Sequence, residues 1–132
     1  MSLKRMAALI LFAVMLGSVI ATTAAQAATS TVSPCYTNTH SIYASLNIAG
    51  GTASCFGKVS PYGEKSCSII VTLYKKAGSN WKYVASWSAS AKNGSRATAS
   101  GTANISKGTY KVVSVGYVDG ERTEAETAEK TY

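Results

Sequence analysis

The feature that most constrains this 132-residue chain is a two-residue alternation of apolar and polar side chains that recurs every ten to fifteen residues from Ser41 onward. Helices repeat their apolar positions every 3.6 residues and cannot hold such a pattern on one face, whereas a strand with one buried face requires it. Ser41–Ile48 places Ile42, Ala44, Leu46 and Ile48 on one side, and Thr52–Val59 does the same with Ala53, Cys55, Gly57 and Val59. Ser66–Lys75 is the strongest stretch, with Cys67, Ile69, Val71 and Leu73 in register. Trp81–Ser90 aligns Trp81, Tyr83, Ala85, Trp87 and Ala89 on a single face. Arg96–Ile105 is small and polar, with Ala97, Ala99 and Ile105 as its apolar positions, and Thr109–Val118 sets Tyr110 and Val112 against Val113, Val115 and Tyr117.

The breaks between these stretches carry turn chemistry. Gly50-Gly51, Ser60-Pro61-Tyr62-Gly63, Ala77-Gly78-Ser79-Asn80, Asn93-Gly94 and Asp119-Gly120 all offer residues that tolerate positive φ or fix a bend. The closing segment, Glu121–Tyr132, reads two ways. Glu126 and Lys130 have helical spacing, but Thr123, Ala125 and Thr127 would also line one face of a polar edge strand whose charges discourage further pairing. The turn before it favours the strand. About seven antiparallel strands in a sandwich or barrel are therefore expected.

Ahead of this domain, Lys4 and Arg5 precede an uncharged apolar run from Met6 to Ile20, and Ala25-Gln26-Ala27 ends a small-residue stretch. These are the three parts of a cleavable export signal in their proper order. The strongly apolar part is about fifteen residues, short of the roughly 20 that a spanning helix needs. The chain thus divides into a helical signal peptide (1–27), a Thr/Ser-rich flexible leader (28–40) and a β domain (41–132), with secretion as the expected fate and no stable membrane span after processing.

Without Lys4 and Arg5, eleven Lys and Arg oppose six Asp and Glu, a net charge of +5. Five of the six acids lie within the last fourteen residues, and from Ala28 to Val118 Glu64 is the one acid among nine cations. A body this basic would be attracted to anionic cell-wall polymers or acidic glycans; the plainer reading, and the favoured one, is solubility, with the acidic C-terminal strand paired against basic neighbours. Nucleic acid is not an expected partner, because the cations are scattered along strands and no recognition helix is present.

Export permits disulfides. Of Cys35, Cys55 and Cys67, the pair Cys55–Cys67 is preferred because each lies on the apolar parity of its strand; it would close a loop of about 13 residues, worth about 3 kcal/mol. Cys35 would then be free to join two chains, and the other pairings stay open. His40 is the one histidine, nothing marks a nucleophile elbow, and no metal or cofactor set is present, so no enzymatic activity is expected. Trp81, Tyr83 and Trp87 are candidates for a sugar-stacking platform, but core is the better reading for Trp87, with Trp81 and Tyr83 left open.

Gly108-Thr109-Tyr110 resembles the tyrosine corner of immunoglobulin-like domains, where a Tyr at the start of the sixth strand bonds back to the preceding connection. Val112 stands where antibody domains carry a cysteine. The wider pattern runs through Ser45-Leu46-Asn47-Ile48, Gly51-Thr52-Ala53-Ser54-Cys55-Phe56-Gly57, Val71-Thr72-Leu73-Tyr74-Lys75-Lys76, Asn80-Trp81, Ala85-Ser86-Trp87-Ser88 and Lys107-Gly108-Thr109-Tyr110-Lys111-Val112. It is similar to a group of small secreted, uncharacterised proteins of Gram-positive bacteria. That resemblance implies an immunoglobulin-like antiparallel β-sandwich and brings no catalytic residue with it; Cys35 is not part of the pattern. The sequence reading is a secreted, non-enzymatic module that binds an anionic surface or extracellular polymer. A bacteriocin-like or toxin-like antagonist of bacterial envelopes is the alternative, and a glycan-binding module a weaker one.

Overall fold

The computed structural model describes residues 36–132, and these are all strand, turn and coil. The expected signal peptide, most of the leader and Cys35 lie outside the described residues. Eight strands follow one another: β1 (Thr39–Ala49), β2 (Thr52–Pro61), β3 (Cys67–Ala77), β4 (Asn80–Ala91), β5 (Ala97–Asn104), β6 (Thr109–Val118), β7 (Glu121–Glu126) and β8 (Lys130–Thr131). They form two antiparallel sheets, β1-β2-β5 and β4-β3-β6-β7, with β8 continuing beside β6. The segment after Asp119 is strand rather than helix. Its alternation buries Thr123, Ala125 and Thr127, and Asp119 and Gly120 supply φ of 49° and 84°, the two positive values that a tight hairpin turn requires. The segment breaks once, where Thr127 donates its N–H to the Val112 carbonyl and accepts the Val112 N–H on its hydroxyl at 3.0 Å.

The inward faces match the alternation. Ile42, Ala44, Leu46, Ala53, Cys55 and Val59 from one sheet meet Ile69, Val71, Leu73, Tyr110, Val112 and Val118 from the other. Their sizes are uneven, and the sheets come together where side chains are missing. A Cβ on Gly57 would lie 2.4 Å from both Ser114 Oγ and Val71 Cγ2, far inside van der Waals contact, so only glycine fits that point of β2. Ser114 is fully buried there and its hydroxyl has no partner among the described residues.

The Asn93-Gly94 turn has the dihedrals of a hairpin, φ 55° and 82°, yet it joins strands of different sheets. β4 pairs with β3, and β5 crosses to pair with β2. The crossing is latched to the β2–β3 loop by the Gly94 N–H on the Lys65 carbonyl at 3.1 Å.

The disulfide expected between Cys55 and Cys67 is not formed; both thiols are free and buried. Both do point into the sandwich, but at different heights. Cys67 Sγ donates to the Ser95 carbonyl at 3.2 Å, near the end of β2 where Val59 faces Ala97. Cys55 sits four residues back along β2, roughly 13 Å at strand rise, whereas a disulfide needs Cα atoms within about 7 Å. Burial pushes the Cys55 thiol up to about 11. Burial also raises Cys67, partly offset by a backbone hydrogen bond from Ala97.

Candidate functional site

The start of β1 is fixed from across the molecule. Glu121, the first residue of β7, accepts the backbone N–H groups of Thr37, Asn38 and Thr39 at 2.9, 3.0 and 2.9 Å. Desolvation acts to raise the Glu121 carboxyl, but the hydrogen bonds from Thr37, Asn38 and Thr39 outweigh it and hold the group below the ordinary glutamate range. The Asn38 carbonyl in turn accepts the Tyr62 N–H at 2.8 Å, and His40 packs edge-on against the Tyr62 ring at 5.0 Å. An N-terminal segment expected to be loose is thus tied down from Thr37 onward.

This places His40 and Ser41 beside the end of β2, where the register pairs Ser41 with Ser60 and Tyr43 with Lys58. The chain crossing from β4 to β5 brings Arg96 to the same spot. Together His40, Ser41, Lys58, Ser60, Pro61, Gly94 and Arg96 line a cleft of about 470 Å³. No carboxylate lines it, and neither Lys58 nor Arg96 takes part in an ion pair among the described residues. The C-terminal acids are engaged elsewhere: Glu129 with Lys76 at 3.3 Å, Glu126 with Lys111 at 3.0 Å and Glu124 with Arg122 at 2.9 Å. Three of the six acids thus pair with cations of the other sheet, and none of their carboxylates lines the cleft. Two cationic side chains, an imidazole and two hydroxyls suit an anionic, oxygen-rich group.

The aromatic stripe of β4 is divided. A β-bulge at Val84 shifts the register between Leu73–Ala85 and Tyr74–Tyr83, and the extra residue exchanges the faces of the side chains before it. Trp87 stays inward, where its indole lies on Gly101 of β5; a Cβ there would be 2.0 Å from Trp87 Nε1. Trp81 and Tyr83 point outward. Tyr83 is 62 % exposed, while Trp81 lies beneath the Lys111 and Lys76 ammonium groups, 4.4 and 5.8 Å from its centroid. The three aromatics expected on one face do not form a common platform. What remains outside is a shallower depression of about 250 Å³ among Tyr74, Trp81, Lys111, Glu124 and Glu126.

Tyr110 is buried, and its hydroxyl donates to the Ser106 carbonyl at 2.7 Å, bracing the turn into β6. It serves the fold and not the cleft. Among the described residues no three of His, Cys, Asp and Glu gather as a metal site would require. The cleft residues His40, Lys58 and Arg96 were not singled out by any sequence motif; the only signal was the basic excess before Val118.

No family model matches the chain and no curated protein matches it. Among solved structures it is similar to CsgH of R. palustris, with 11% identity and a TM-score of 0.45 over 65% of this chain and 88% of that one. It is also similar to the GAE domain of GGA2p from Saccharomyces cerevisiae, with 16% identity and a TM-score of 0.35 over 80% of this chain and 97% of that one. Likenesses this distant carry no functional inference.

Proposed function

We propose that this protein is a secreted, non-enzymatic, immunoglobulin-like module that holds an anionic extracellular or cell-surface polymer in the cleft between the start of β1 and the β4–β5 crossing. The observation that carries the reading is the convergence of His40, Lys58 and Arg96 on a cleft with no carboxylate in its lining. Two cationic side chains along one cleft suit a polymer that carries repeated phosphate or carboxylate groups. The immunoglobulin-like reading draws on the tyrosine bracing of the β5–β6 connection and on the division into β1-β2-β5 and β3-β6-β7. β4 differs from the constant-type arrangement by pairing with β3.

The test is retention on immobilised teichoic acid against neutral dextran, with the double variant Lys58→Gln/Arg96→Gln. Loss of two cation contacts is expected to weaken binding at least tenfold and to flatten its dependence on log salt by about two units. Equal binding by wild type and variant, or retention by dextran as strong as by teichoic acid, would overturn the proposal.

A further inference from the structure

The sandwich has two lateral sides of different character. On one, β7 places Glu121, Arg122, Glu124 and Glu126 within six residues, beside the edge strand β1. β1 itself carries no Lys, Arg, Asp or Glu, but the charges of β7 beside it discourage pairing with another chain. On the other side run the edge strands β4 and β5, and neither has a charge between Tyr83 and Ala91 or between Ala97 and Asn104. β4 is the longest strand in the molecule at 12 residues, and among the described residues it is paired only to β3. Its second edge presents unpaired backbone donors and acceptors, which is the template for strand addition.

We infer that two copies of this chain associate by antiparallel pairing of β4 with β4, about a two-fold axis at Ser88. The occupant follows from self-complementarity. Centring on Ser88 sets Ser86 against the second copy's Ser90 on the outer face, with Ser88 facing its own counterpart. On the inner face Trp87 stands opposite the second copy's Ala89, and Ala85 opposite Ala91. Each bulky side chain meets a small one, and no charged residue faces a like charge, because Lys82 and Lys92 lie beyond the paired stretch. The regular part, Ala85–Ala91, begins just after the Val84 bulge. β5 is the poorer edge because Gly101 interrupts its middle. In an isologous contact of this kind each copy offers the same surface, and the two five-stranded sheets become one of ten.

Two copies of a basic chain repel, so added salt should strengthen this dimer, while it weakens binding of an anionic polymer. The two proposals therefore fail separately. The experiment is sedimentation of the protein in reductant, which removes any Cys35-linked dimer, at low and high salt and up to about 1 mM chain. A concentration-dependent dimer is expected, favoured by salt. Ser88→Lys, which sets two ammonium groups opposite each other at the axis, should raise the dissociation constant at least tenfold. Ser100→Lys on β5 should leave it unchanged, and both variants should melt cooperatively like wild type. A monomer throughout, or a dimer that survives Ser88→Lys, would overturn the inference.

Discussion

Replacing Gly101 by alanine tests whether β4 and β5 are held together by an indole seated on bare backbone. The added Cβ would lie 2.0, 2.1 and 2.5 Å from Trp87 Nε1, Cε2 and Cδ1. Non-bonded carbon contacts are comfortable at about 3.5–4.0 Å, so the ring must recede by about 1.5 Å or change rotamer. Overpacking of this sort costs about 1–3 kcal/mol. Alanine for glycine recovers about 0.4–1 kcal/mol by restricting the unfolded chain, which leaves a net loss of about 1–2 kcal/mol. For a domain of this size that is a fall in Tm of about 5–15 °C. The assay is thermal and urea unfolding followed by Trp fluorescence in a Trp81→Phe background, so that the signal comes from Trp87 alone. The native emission should shift to the red as the ring moves toward water. In a Trp87→Leu background the same Gly101→Ala change should cost much less, giving a coupling of about 1 kcal/mol or more. A Gly101→Ala protein melting within about 2 °C of its parent, or the same cost with and without Trp87, would refute the reasoning.

Three further outcomes follow from the same geometry. Tyr110→Phe removes the 2.7 Å bond to the Ser106 carbonyl and should cost about 1 kcal/mol in urea unfolding without altering polymer retention; an unchanged midpoint would count against the brace. The Glu121 carboxyl is held below its ordinary value, so its contribution is complete at neutral pH and is lost as pH falls through the lowered value. The amide shifts of Thr37, Asn38 and Thr39 should titrate together at a midpoint below the ordinary glutamate range, and Glu121→Gln should abolish that titration; a midpoint at or above the range would contradict the clamp. Finally, Cys55 and Cys67 should both accept an alkylating reagent after unfolding without reductant, and Cys55, pushed up to about 11, should resist it in the native state. A peptide joining the two cysteines in a non-reduced digest would restore the disulfide.

Local alternation in the sequence determined the strands and the side of each that is buried: Ile42, Ala44 and Leu46, then Ala53, Cys55 and Val59, then Ile69, Val71 and Leu73 all face the core. Tyr110 was legible too, through the resemblance of Gly108-Thr109-Tyr110 to a tyrosine corner, and its hydroxyl does bond back to Ser106. Alternation, however, says nothing about which strand lies alongside which, or at what height. Asn93-Gly94 has hairpin chemistry, yet β5 pairs with β2 and not with β4, so the chain crosses to the other sheet. The parity of Trp81, Tyr83 and Trp87 is common in sequence, and one bulged residue at Val84, set by pairing with β3, divides it. The cysteines share a parity but differ in height, which depends on how the two sheets stack. The cleft of His40, Lys58 and Arg96 is a product of register and of the crossing, contacts made between residues far apart in the chain. The sequence by itself determined what each strand buries; only the tertiary structure decided what each strand meets, because strand faces are local and strand partners are not.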